Sequence, residues 1–178
     1  MLLRSLAYRA SRLGAYVGLR EDELEAVAYG ALLHDIGKIA MPESILHKPG
    51  PLTEDEFREM KLHPEIGERI CGPLRIARSF SAIIRHHHER WDGRGYPDGI
   101  AGEGIPLGAR IVAIADAYDA MTTDRAYRRA LPHEVAIGEI ERCAGTQFDP
   151  ELAEAFVRLI EAYRAGMRER GHGSLLPR

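Results

Sequence analysis

Six side chains of the types that bind metal ions lie at four separate places along the chain. Two of these places are adjacent pairs, one a histidine followed by an aspartate and the other two consecutive histidines. Histidine and carboxylate together suit Fe, Mn, Zn or Ni better than Ca or Mg, which prefer shells of oxygen ligands. An acid directly beside a histidine can also share its carboxylate between two metal ions. The pattern indicates a hydrolytic metal centre with candidate ligands His34, Asp35, His63, His87, His88 and Asp116.

Asp116 is the sharpest of these signals because it lies in an apolar run, residues 111–118, of a helix that should be buried on most sides. A buried carboxylate without a partner is unfavourable by several kcal/mol, so a cation must meet it. A metal ion is the simplest candidate, and a salt bridge to Arg85 or Arg110 is the alternative. Asp119 follows about one turn later on the same face, where it could orient a histidine ligand.

The histidines are weaker signals when each is taken alone. His63 by itself is more typical of a capping or surface position. In the run 86–88, neighbouring side chains on a helix point about 100° apart, so two could reach adjacent metal ions while the third faces outward. Histidines exposed to solvent are the alternative there. Lys38 lies about one turn after the pair 34–35, where its charge could hold a phosphate oxygen.

Two further segments could contact a phosphate or a base. Tyr96 lies in the glycine-rich run 91–97, and its ring and hydroxyl suit stacking and hydrogen bonding. Arg125 and Arg128 follow the Asp116 helix and could bind phosphates bidentately, with a solvated basic turn as the alternative. The chain has no GxxxxGK[ST], GxSxG or HExxH pattern, so no competing catalytic arrangement is visible.

Composition limits the classes of partner. The net charge of −3 argues against a broad basic face for a nucleic acid polymer. It does not exclude a small anionic ligand that a few local arginines bind. The only two cysteines, Cys71 and Cys143, have no CxxC spacing, which favours a reducing, cytoplasmic setting. No apolar run is long enough for a membrane span, and no signal peptide is visible at the start.

The elements that must position these residues are almost all helical. Apolar spacing predicts helices over residues 2–17 and 76–88, and another from Leu107 to about Thr123. Asp22 can cap the helix that carries the pair 34–35. The remaining predicted features are a capping box at 53–56, a helix after Pro64, a loop over 89–105, and helices that Pro132 and Pro150 begin. We expect one domain, residues 1–170, and a frayed tail, residues 171–178.

Three motifs together closely resemble the HD-GYP family of metal phosphodiesterases. They are His34-Asp35-Ile36-Gly37-Lys38, the run from His87-His88-Glu89 to Gly95-Tyr96-Pro97, and Ala115-Asp116-Ala117-Tyr118-Asp119-Ala120-Met121. The resemblance covers about residues 4–157, including Lys48-Pro49-Gly50 and Gln147-Phe148-Asp149-Pro150. It implies an all-α, HD-type helical bundle with extra C-terminal helices and a GYP loop. It also implies hydrolysis of the bacterial messenger cyclic di-GMP to pGpG and GMP.

The resemblance assigns roles to residues of this chain. Two divalent transition metal ions, Fe or Mn with Zn or Ni as alternatives, would be held by the six residues of the opening set. Asp35 would bridge them and Lys38 would lie beside the reacting phosphate. Tyr96, Arg125 and Arg128 would contact the dinucleotide. Implied partners are an upstream sensor domain in a longer protein, a diguanylate cyclase, or a second copy in a homodimer.

One position departs from the family pattern. Many members have a further histidine ligand on the first helix, and Leu2 occupies that position here. Leucine cannot bind a metal ion, so a three-metal site is not expected. The alternative function is therefore a weakly active or inactive regulatory module that binds cyclic di-GMP or a partner protein.

Overall fold

The computed structural model describes residues 2–124 and 129–169, and within these residues it contains α-helices, short 3₁₀ turns and loops but no β-sheet. The all-α prediction is confirmed. The side chain of Leu2, together with Arg125, Arg128 and the tail 171–178, lies outside the described residues. The helices are α1 (Leu2–Tyr16), α2 (Glu21–Leu33), α3 (Glu43–Leu46), α4 (Glu54–Met60), α5 (His63–Cys71), α6 (Ser81–His86), α7 (Leu107–Thr122), α8 (His133–Arg142) and α9 (Pro150–Glu169).

Helix α7 forms the centre of the bundle, because α1, α2, α6, α8 and α9 all pack against it. Its inner residues are fully buried among side chains of these five neighbours. Burial of each large apolar side chain contributes roughly 1.5–3 kcal/mol, so the apolar run that contains Asp116 also holds the bundle together. The buried α7 residues are Ala109, Ile111, Val112, Ile114, Ala115, Tyr118 and Asp119. None of the described helices is both long and apolar enough to cross a membrane.

Two local features differ from the sequence prediction. Arg20, rather than Asp22, occupies the N-cap of α2, and Asp22 lies in the first turn. The helix expected over 76–88 is interrupted, since a 3₁₀ turn (Arg75–Ser79) precedes α6 and the φ angle of Phe80 is −129°. This break lets Phe80 bury its ring against Tyr29 of α2. The capping box at Thr53 and Glu56 is confirmed.

Gly37 allows two segments of the site to touch. It lies in a 3₁₀ turn (Ile36–Ala40) that follows α2 and packs on the start of α5. A Cβ atom at Gly37 would lie 1.9 Å from the carbonyl oxygen of His63 and 2.6 Å from the amide nitrogen of Gly67. Both are backbone atoms that cannot swing aside, so only glycine permits this approach.

We expect Gly37→Ala to destabilise the fold by at least about 2 kcal/mol, because the methyl group forces two backbones apart. Thermal unfolding should then begin roughly 4–8 °C lower. Gly138→Ala is the matched control, since a Cβ atom at this exposed position of α8 meets nothing within 4 Å. That variant should gain up to about 1 kcal/mol. Equal melting temperatures for the two variants would contradict the proposed contact.

Candidate metal centre

The predicted ligands come together although they lie on different helices. His34 and Asp35 follow the end of α2, and His63 is the first residue of α5. The pair 87–88 follows α6, and Asp116 lies within α7. Most of these residues are therefore at helix ends, where side chains from separate helices can point into one space.

Three of the histidines are held in the same way. The Nδ1 atoms of His34, His63 and His87 lie 2.9, 2.8 and 2.7 Å from the carbonyl oxygens of the residues three positions earlier. A carbonyl oxygen only accepts hydrogen bonds, so each Nδ1 must carry the proton and donate it. In a neutral ring, Nε2 is then left with a lone pair. This is the arrangement that orients histidine ligands in metal sites.

The Nε2 atoms face one another and Asp35. His63 Nε2 and His87 Nε2 are 3.4 Å apart, and they lie 3.3 and 4.0 Å from Asp35 Oδ1. The ligand atoms of Asp35, His63, His87 and His88 all lie within 4.8 Å of one another. With metal–ligand bonds of about 2.1 Å, two donors on one ion can be at most about 4.2 Å apart. The observed spacing therefore fits a transition metal ion after small inward shifts.

Asp35 lies between two groups of side chains, one with His63 and His87 and the other with His34 and Lys38. Its Oδ1 atom is buried and accepts no hydrogen bond from the described residues. Its Oδ2 atom lies 2.6 Å from Lys38 Nζ and 3.5 Å from His34 Nε2. Burial acts to raise the pKa of this carboxyl, but the neighbouring His63, His34 and Lys38 outweigh that effect and hold the pKa far below its usual value. An ionised carboxylate with one oxygen toward each group is suited to bridge two cations.

Burial favours the neutral form of two rings of this cluster, His87 and His88. His34, His63 and His87 are each at most 3% exposed. Burial and the nearby His88 and His34 hold the pKa of His87 well below its ordinary value. Burial, with a contribution from His63, lowers the pKa of His88 to about 3. The Nε2 atoms of His63 and His87 lie 3.4 Å apart and both face Asp35, so this donor set fits a metal ion that all three residues bind.

Asp116 differs from its prediction in burial. Its side chain is 29% exposed, and Asp116 Oδ1 lies 3.8 Å from His34 Nε2, on the side of the centre that Asp35 Oδ2 faces. Arg85 and Arg110, the alternative partners, form ion pairs with Asp98 and Asp149 instead.

Asp119 is the buried acid of α7, and its predicted role is wrong. It accepts a hydrogen bond from Arg9 of α1 rather than orienting a histidine. The sequence could not identify this pair, because the two residues are 110 positions apart.

The glycine-rich loop places Tyr96 beside the histidines. The Tyr96 amide donates to the carbonyl oxygen of His88, and the two rings have centroids 4.8 Å apart with an interplanar angle of 30°. Gly95 permits this approach, since a Cβ atom there would lie 2.4 Å from the amide nitrogen of Arg90. Tyr96 thus covers one side of the candidate centre.

Sequence reasoning missed the residues that hold this loop. The buried Glu89 carboxylate accepts from the amides of Asp98 and Gly99 through Oε1, at 2.7 and 3.1 Å. Arg85 binds both carboxylate oxygens of Asp98 at 2.7 Å. His86, which was not assigned as a ligand, faces the same region, 3.5 Å from Asp98 Oδ2. An acid directly before a segment of glycine turns was the available signal, because turn amides need acceptors.

We expect Glu89→Ala to destabilise the protein by about 2–3 kcal/mol, since two turn amides lose a charged acceptor. Hydrogen exchange at the Asp98 and Gly99 amides should become at least about tenfold faster. Glu103→Ala removes an exposed carboxylate of the same loop and should leave both quantities unchanged. Equal protection of the amides in the two variants would exclude the anchoring role.

Comparisons with known proteins agree with this architecture. The family model described as HD domain matches residues 2–152. The chain is 44% identical over 158 residues to a cyclic di-GMP phosphodiesterase response regulator of Xanthomonas campestris, covering 88% of this chain and 42% of the relative. It is 42% identical over 161 residues to a cyclic di-GMP phosphodiesterase of Thermotoga maritima, covering 86% of this chain and 42% of that protein. This chain thus spans less than half the length of these relatives.

A solved structure shows the same fold. The crystal structure of a cyclic GMP-AMP specific phosphodiesterase of Vibrio cholerae superposes with a TM-score of 0.73 at 22% identity, covering 92% of this chain and 44% of that chain. The resemblance to HD-GYP proteins that the motifs predicted is confirmed by these relatives. With 151 of its residues matched by the family model, the chain belongs to the HD domain family.

Proposed function

We propose that this chain is a metal-dependent phosphodiesterase that hydrolyses cyclic di-GMP to pGpG and GMP. The observation that carries the proposal is the convergence of buried, oriented Nε2 atoms on the two faces of one ionised carboxylate, Asp35. The names of the two relatives that are 42–44% identical support the choice of substrate.

The donor set divides around Asp35 in this proposal. His63, His87 and His88 would hold one divalent ion together with Asp35 Oδ1. His34 and Asp116 would hold the other ion together with Asp35 Oδ2. Bound ions supply positive charge that activates water and stabilises a phosphate in the transition state. Fe or Mn are the proposed metals, with Zn and Ni as alternatives, because nitrogen and oxygen ligands suit all four.

Other residues act on the substrate itself. Lys38 Nζ, which is held by Asp35, would stabilise the negative charge that builds on the phosphate oxygens. Tyr96 would position the dinucleotide and restrict water on the His88 side. Arg125 and Arg128 stay predictions as phosphate-binding residues, since they lie outside the described residues.

The alternative of an inactive binding module is not favoured. It depended on Leu2, whereas the relatives that are 42–44% identical are named as cyclic di-GMP phosphodiesterases. The further partners, a sensor domain, a diguanylate cyclase and a second copy, stay predictions, as does the cytoplasmic location. The boundaries of the single domain stay a prediction as well.

Turnover of cyclic di-GMP tests the proposal directly. With Mn²⁺ or Fe²⁺ present, we expect Asp35→Asn to lower the rate at least about 100-fold, because it removes the negative charge of the carboxylate between the two sets of candidate ligands. His47→Ala, at an exposed position after α3, should retain the wild-type rate. Product formation is measured by chromatography. A wild-type chain that is folded and metal-loaded but releases no pGpG would contradict the proposed reaction.

Metal binding is expected to stabilise the fold independently of turnover. At about 100 times the dissociation constant, a bound ion adds about 2.7 kcal/mol, which corresponds to a rise of roughly 5–10 °C in melting temperature. His63→Ala should abolish most of this rise, whereas His47→Ala should retain it. Elemental analysis of the purified protein identifies the metal and its stoichiometry. If His63→Ala keeps the full metal-dependent rise, the donor set is wrong.

A further inference from the structure

We infer that α4 and the segment before it form a subsite for a guanine base, in which Phe57 stacks on the base and Glu54 reads its edge. This inference rests on the proposed function in one respect, namely that the substrate is a guanine dinucleotide. The same surface can be tested with a mononucleotide, independently of hydrolysis.

An open depression of about 660 Å³ lies beside α4. This volume falls within the usual range for small-molecule sites. The segment that begins with the Lys48-Pro49-Gly50 motif, to which the proposed chemistry gives no role, supplies one wall. The lining residues are Gly50, Pro51, Leu52, Thr53, Glu54 and Phe57.

The walls of this depression are held in place before any ligand binds. The Thr53 amide donates to Glu56 Oε2 at 2.6 Å, and the Glu56 amide donates back to Thr53 Oγ1. Lys48 forms an ion pair with the same Glu56 carboxylate. These bonds join the segment before the helix to the first turn of α4, so little ordering is needed when a planar ligand enters.

Phe57 connects the depression with the metal centre. Its side chain is 45% exposed, which leaves part of the ring accessible to a ligand. Its ring meets the Tyr96 ring edge to face at a centroid distance of 6.4 Å, and Tyr96 in turn lies 4.8 Å from the His88 ring. A nucleotide whose phosphate lies at the histidines can therefore place its base at Phe57.

The charges around Phe57 match guanine. Glu54, Phe57 and Lys61 recur at spacings of three and four, so they share one face of α4 and its C-cap. Lys61 Nζ lies over one face of the Phe57 ring, 4.6 Å from its centroid, so the base would stack on the opposite face. A carboxylate accepts two hydrogen bonds from N1–H and N2–H of guanine, and a lysine donates to O6 or N7. Adenine presents an unprotonated N1 at that edge, which repels a carboxylate.

Calorimetric titration of GMP and AMP into the purified chain tests this subsite, because the two ligands differ only in the base. The wild-type chain should bind GMP more tightly than AMP. Phe57→Ala should weaken GMP binding about 5- to 150-fold, the range for loss of one stacked base. Phe57→Tyr keeps a ring and should bind within about threefold of the wild type. Glu54→Gln should reduce the preference for GMP and leave AMP binding nearly unchanged.

Tyr163→Ala is the control, since it removes a similarly exposed ring on α9 and should leave GMP binding unchanged. The subsite is rejected if the wild-type chain does not bind GMP or binds GMP and AMP equally. It is also rejected if Phe57→Ala binds GMP as tightly as the wild type. Phe57-dependent GMP binding without cyclic di-GMP turnover keeps the subsite and rejects the proposed reaction. Turnover of cyclic di-GMP together with unchanged GMP binding in Phe57→Ala keeps the reaction and rejects the subsite.

Discussion

The carbonyl oxygen three residues before a histidine decides which ring nitrogen faces the centre of this protein. In His34, His63 and His87 that oxygen accepts a hydrogen bond from Nδ1–H, so Nε2 points inward. The same local geometry recurs on three helices because each histidine lies at or beside a helix end, where a backbone acceptor is within reach. Ring orientation is therefore fixed by backbone structure before any metal ion arrives.

The packing of the bundle must hold these donor atoms close together. A buried carboxylate oxygen that accepts no hydrogen bond from any described residue is unfavourable beside two Nε2 atoms 3.4 Å apart unless a cation binds them. The apolar core around α7 and the backbone contact at Gly37 supply the restraint. Stability built elsewhere in the bundle thus maintains an arrangement that only a bound cation relieves, as is common at functional sites.

A second set of contacts joins the centre to the surface. Glu89 and Arg85 hold the glycine-rich loop against the segment that carries the histidine pair, and the loop holds Tyr96 against His88. Tyr96 then meets Phe57 of α4. A change in the loop would therefore be felt both at the candidate ligands and at the proposed base subsite, since one ring contacts both regions.

The sequence by itself determined the helical class, the capping box at Thr53 and the six candidate ligands, because residue type and local spacing suffice for these. It did not determine the break before α6, the partner of Asp119, or the anchoring role of Glu89. Only the tertiary structure decided them, since each depends on which surfaces meet. Arg9 reaches Asp119 across 110 positions, and the Phe80 ring turns out of the helical path to pack on α2. Local pattern fixes the direction of a side chain along its own helix, whereas packing between distant segments fixes what that side chain contacts.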